Sequence, residues 1–182
     1  MLGVLAAFGL AAATGLNAYL PLLIVGLLAR YTSLIALTPP WSALAHPIVL
    51  VVVGVLLAIE ITVDKIPAVD TVNDVVQTVF RPAAGAILFA ASGSVVSHVS
   101  PVLAMVCGLL VAGGVHTAKA AARPAVTAGT AGLGNPVVSL AEDAVSGVTT
   151  VVAVVAPLLL MLLLLAVVWL LIRRYHRRHP RA

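Results

Sequence analysis

Charge is the scarcest commodity in this sequence. Only 9% of its 182 residues are Asp, Glu, Lys or Arg, while 62% are apolar. Soluble domains are about a quarter charged, so a water-soluble fold of this length could not cover its surface. A mean hydropathy of +1.19 points the same way. A lipid bilayer is the expected solvent for much of the chain. Acids are scarcer than bases and fall in two places: Glu60, Asp64, Asp70 and Asp74, then Glu142 and Asp143. The single cysteine, Cys107, excludes an intramolecular disulfide, and its apolar neighbours mark it as a small hydrophobe.

Recognisable catalytic patterns are missing too. There is no Ser-His-Asp ordering, nucleophile elbow, phosphate loop or dinucleotide fingerprint. An enzyme is not expected, nor any cofactor. No HxxxH, CxxC or HExxH spacing supports a metal site, so His116 is a weak candidate ligand and the metal question stays open. The first residues, MLGVLAAFGLAAATG, lack a basic region, which favours a retained first span over a cleaved signal peptide.

What is present is a series of apolar runs broken by polar motifs. A helix needs about 20 apolar residues to cross the hydrocarbon. Leu2 to Leu28 qualifies as a first span, followed by Arg30 and the TPPW loop, where Trp41 suits an interfacial anchor. Pro47 to Ile59 is too short alone, so its helix must continue through Glu60 and Asp64 or be broken or re-entrant. Residues 66–82 predict an amphipathic helix, with Asp70, Asp74, Gln77 and Arg81 at spacings of three and four along one face. Ala83 to Val99 is the third span. Pro101 to Val115 is the fourth, again short, and it runs into His116, Lys119 and Arg123, also on one face. Asn135 suits an N-cap and Pro136 a first helical residue for a short helix bearing Glu142 and Asp143. Val148 to Ile172 is the last span.

These elements predict an all-α, polytopic transmembrane bundle of about five spans plus two short polar or amphipathic helices. Residues 1–172 form one transmembrane domain and residues 173–182 a basic tail. That tail holds five of the ten Lys and Arg residues, which places the C-terminus in the cytoplasm against anionic headgroups and the N-terminus outside. It follows directly on an apolar helix, so a nucleic-acid partner is not expected. Lys65, Arg81, Lys119 and Arg123 then lie against the positive-inside trend unless they are buried with the acids. A possible internal repeat relates Pro67–Asp74 to Pro136–Asp143, each a Pro with an Asp seven residues on.

Ionisable groups at membrane depth cost roughly 3 kcal/mol each and are retained for a cavity, a partner or a pathway. Solvated loop charges and interfacial snorkelling are the plainer alternatives. Gly15, Asn17 and Pro21 add a weak, polar point in the first span, either a break at a cavity or a kink with Asn17 bonded to a neighbour.

Four ordered motifs carry a resemblance. GLNAYLP from Gly15, E-x3-DKIP-x2-D-x3-D-x2-Q-x3-RP from Glu60, H-x2-KA-x2-RP from His116 and GNP-x2-S-x2-ED from Gly134 resemble a bacterial membrane-protein family catalogued as domain of unknown function 4126. The resemblance implies a compact multi-span inner-membrane protein and no established activity. Its motif residues coincide with the polar positions above, which favours one shared centre. The expected function is a small transporter or channel-like protein for an ion or small polar solute. Asn17, Glu60, Asp64, Lys65, Asp70, Asp74, Gln77, Arg81, His116, Lys119, Arg123, Asn135, Glu142 and Asp143 would form its polar centre, and a homodimer is expected because one chain encloses little. The alternatives are a non-transport accessory or scaffold protein, or one handling lipid headgroups.

Overall fold

The structure, a computed structural model, describes residues 2–64, 67–92 and 100–178. It is all-α, with seven α-helices and one 3-10 turn among the described residues. The helices are α1 (Leu2–Leu16), α2 (Tyr19–Tyr31), α3 (Pro47–Val63), α4 (Pro67–Ala91), α5 (Pro101–Thr130), α6 (Asn135–Val155) and α7 (Pro157–Arg178), with the 3-10 turn at Trp41–Ala45. Proline opens α3, α4, α5 and α7, where its missing N–H costs nothing. His46 Nδ1 accepts the Ile48 N–H at 3.3 Å ahead of α3, and Ser100 Oγ accepts the Leu103 N–H at 3.3 Å ahead of α5.

Several expected boundaries shift. The first apolar run is not one span. It stops at Leu16 and restarts at Tyr19. The two halves fold back on each other: Ser146 bonds Ala13 O, its neighbour Gly147 lies against Leu20, and Leu10, Val25 and Val154 line one cavity. Asn17 and Ala18 are therefore the tip of a helical hairpin. The short run after Pro47 does continue through Glu60, as its length requires, and Asp64 caps it.

The two short polar helices are not separate elements. Residues 67–82 and the apolar run after them form the single helix α4, with Pro82 inside it; one proline removes one ladder bond and here does not end the helix. Likewise Glu142 and Asp143 lie on α6, which runs on to Val155. The fourth run is the first part of the 30-residue α5, which passes His116, Lys119, Arg123 and Pro124. The last run breaks at Ala156 (φ −144°, ψ 64°), the residue before Pro157, because a following proline ring disfavours helical backbone. Gly134, not Asn135, holds the N-cap of α6. Two helices, α5 and α6, are long and apolar enough to cross a membrane, while α1, α2, α3 and the Val75–Ala91 part of α4 are shorter apolar helices.

Helices α1, α4 and α5 meet through small residues. Ala7, Ala11, Ala84, Ala90, Ala104 and Ala112 are buried there. A Cβ added at Gly85 would fall 2.8 Å from Gly108 O, and one added at Gly15 would fall 2.6 Å from Ala112 O. The backbones touch, as in close helix pairs stabilised by dispersion. Phe8 and Phe89 close one end, edge to face at 5.0 Å. The surface is the reverse of a soluble protein's. Val51, Val55 and Ile59 on α3, Leu110 on α5 and Val148 on α6 are all at least half exposed, while Glu60, Arg81 and Asn17 are sealed inside.

Replacing Gly108 by Leu should destabilise the fold by about 3 kcal/mol through overpacking against α4. Gly114→Ala, at a site with open space, should be near neutral. Thermal unfolding of both variants checks this; equal midpoints would mean that α4 and α5 do not touch as described.

Candidate functional site

The tip of the α1–α2 hairpin creates a problem that the site solves. A helix end leaves carbonyls unpaired at its C-terminus and amides at its N-terminus. Asn17 Oδ1 accepts the N–H groups of Tyr19 at 3.1 Å and Leu20 at 2.8 Å, serving the start of α2. Lys119 Nζ, from α5, donates to Leu16 O at 3.1 Å, a cation at the negative end of α1. Asn17 Nδ2 then donates to Asp143 Oδ1 on α6 at 2.8 Å. The hairpin tip is thus fastened to two other helices.

From Lys119 a continuous charge network extends. Lys119 Nζ lies 2.9 Å from Glu142 and 3.8 Å from Asp64. Arg123, one turn on, lies 3.1 Å from Glu142 and 3.8 Å from the same Asp64 oxygen. Arg81, from α4, lies 3.1 Å from Glu60 and 3.8 Å from Asp64. Asn73 and Ser139 also donate to Asp64, at 2.6 and 3.3 Å. The two acidic groups of the sequence therefore meet across shared cations. The interior position is clear: side-chain exposure is 0% for Arg81, 1% for Glu60 and 2% for Asp64. Ion pairs this deep hold together only with near-complete pairing.

His116 joins the centre through Arg81, whose Nη1 lies 3.0 Å from His116 Nδ1. A guanidinium only donates, so Nδ1 is the acceptor of that contact. Nε2 faces Thr78 Oγ1 at 3.1 Å.

Of the expected centre, the structure brings together Asn17, Glu60, Asp64, Arg81, His116, Lys119, Arg123, Glu142 and Asp143. Gln77 is also buried, one turn before Arg81 and beside Tyr19. Asn135 is buried but set apart, exchanging hydrogen bonds with Thr127 at 3.1–3.2 Å. The side chains of Asp70 and Asp74, and Lys65 altogether, lie outside the described residues. Sequence reasoning missed Asn73, Thr78, Ser146 and Thr150, and it marked Tyr19 as a polar group of the first span and Ser139 as part of the motif from Gly134 without placing either in the centre. The α6 group had a signal: residues 135, 139, 142, 146 and 150 are all polar at spacings of three and four.

Lys119→Met should cost about 3–5 kcal/mol, because it leaves the Leu16 carbonyl and two carboxylates short of a partner. Thr117→Val, on the exposed side of the same helical turn, should stay within about 0.5 kcal/mol. Chemical denaturation measures both, and a Lys119→Met loss as small as that of Thr117→Val would remove Lys119 from this central position.

The site's residues lie within a segment that known families describe. A family model described as "Domain of unknown function (DUF4126)" matches residues 4–177. No curated protein and no solved structure matches the chain. The motifs from Gly15 to Asp143 that converge on this centre all fall inside the matched span, and the chain belongs to the DUF4126 family.

Proposed function

We propose that the protein is a polytopic inner-membrane protein that carries an ion or small polar solute past its buried charge network. One observation carries this reading: Glu60, Asp64, Arg81 and Lys119, from three helices, converge in a sealed interior around the tip of a broken hairpin, while the outside is apolar. Helices that break at a polar centre are the usual way membrane proteins place backbone and charge around a transported solute. On this reading α1–α2 and the longer helices lie in the bilayer, and the basic end of α7, where Arg173 and Arg174 are exposed, faces the cytoplasm and its anionic lipids. Helices α4 and α6, each with a proline in its first two residues and polar in its first half, are the counterparts of the internal repeat. A second copy would supply the enclosure that one short chain lacks.

The test is flux in proteoliposomes. Wild-type protein should move ions or solute above the protein-free background, and Glu60→Gln and Asp64→Asn should bring flux back to that background. Undiminished flux in both variants would sink the assignment.

A second reading is favoured by the pairing itself, since Arg81, Lys119 and Arg123 each have a carboxylate within 3.1 Å. In that case the charges fix helix register in a non-transport scaffold. The exchange Lys119→Glu with Glu142→Lys would then restore folding lost in either single variant, and wild-type protein would give no flux.

A further inference from the structure

The network's charges do not balance. Among the described side chains it holds four carboxylates, Glu60, Asp64, Glu142 and Asp143, against three cations, Arg81, Lys119 and Arg123. His116 does not make up the difference, because Arg81 holds its Nδ1 as an acceptor. A buried charge without a counter-charge is costly, and the usual relief is for the group to become neutral.

The four carboxylates are not equal. Asp64 has three cations within 3.8 Å and two hydrogen-bond donors. Glu142 is held by two cations at 2.9 and 3.1 Å. Asp143 is half-buried and accepts from Asn17 through Oδ1, although its Oδ2 is a buried atom without a hydrogen-bond partner. Glu60 is 1% exposed and uses only one oxygen: Oε1 meets Arg81, and Oε2 has no hydrogen-bond partner. Gln77, 2% exposed, has an Oε1 that also lacks one. Tyr19 lies close to both residues. Glu60 Oε2 is thus a buried acceptor oxygen without a donor.

We infer that Glu60 Oε2 is a proton-binding site, and that the monovalent cation completing the network is a proton. This rests on the transport reading only for its purpose; the site itself follows from the pairing. Protonation removes the unpaired charge from a buried oxygen and brings the four described carboxyls into balance with three cations. The groups acting on Glu60 are Asp64 on its own helix, Arg81 on α4, Lys119 on α5 and Tyr19 on α2, with His116 behind Arg81. Among the described residues no three His, Cys, Asp or Glu side chains group as a bound metal ion requires, which sets a proton ahead of a divalent cation.

The experiment is infrared spectroscopy of the purified full chain near neutral pH, following the carbonyl stretch of a protonated carboxyl. The expected result is a band that shifts in heavy water, shifts again with carboxyl-labelled glutamate, disappears in Glu60→Gln and survives in Asp143→Asn. Should Glu60→Gln not fold, the glutamate label applied to Glu142→Gln, which leaves Glu60 as the one glutamate of the sequence, still decides. No band, a band that moves only with labelled aspartate, or one lost in Asp143→Asn and kept in Glu60→Gln overturns the inference. So does a band abolished by saturating Na+ with no dependence on pH, which would make the occupant a metal cation. Flux that fails while the band stands defeats only the transport reading; flux that persists without the band defeats only the proton site.

Discussion

Asp64 is the residue on which the arrangement hangs. It sits at the C-terminal end of α3, where the helix dipole already concentrates negative charge. An isolated carboxylate there, 2% exposed, would not be tolerated. Three cations from α4 and α5 make it tolerable, each 3.8 Å from the same oxygen. Those cations are in turn shared with Glu60 and Glu142. The position of α3 is thereby tied to α4, α5 and α6 through one oxygen atom.

Around this point the packing divides into two regimes. Near the charges, helices are held by directional contacts between long side chains. Toward the other end, α1, α4 and α5 approach through glycine and alanine until backbones touch. Long side chains and bare backbone cannot occupy the same crossing. The small residues therefore set the close approach at one end, and the arginines and lysine fill the wider space at the other. An apolar cavity of about 360 Å³, lined by Leu10, Val25, Leu88 and Val154, lies in the second region, away from the charges.

Much of this was legible in the sequence, because its signals are local. Spacings of three and four put His116, Lys119 and Arg123 on one face, and α5 keeps all three buried. The thirteen-residue run after Pro47 was too short to stand alone, and α3 does carry on past Glu60. The boundaries were harder. Pro82 lies within α4 after the helical Arg81, whereas Pro157 follows the break at Ala156. What separates them is tertiary: Arg81, just before Pro82, is anchored to Glu60 and His116, so the helix has a partner on both sides of the proline. Gly15, Asn17 and Pro21 did mark a break or kink in the first run, but that it is a hairpin was hidden for a similar reason. An apolar run is continuous in sequence, and only the distant Lys119 and Asp143 reveal that it turns.

Those distances along the chain have a consequence for how the molecule is built. The hairpin tip depends on contacts 103 residues away, at Lys119, and 126 residues away, at Asp143; Ser146 reaches back 133 residues to Ala13. A ribosome makes α1 and α2 first, yet the groups that satisfy their turn do not exist until α5 and α6 have been synthesised. During that interval the Leu16 carbonyl and the Asn17 side-chain amide lack the partners that complete the tip. The hairpin thus leaves the ribosome before α5 and α6 but is finished only with them.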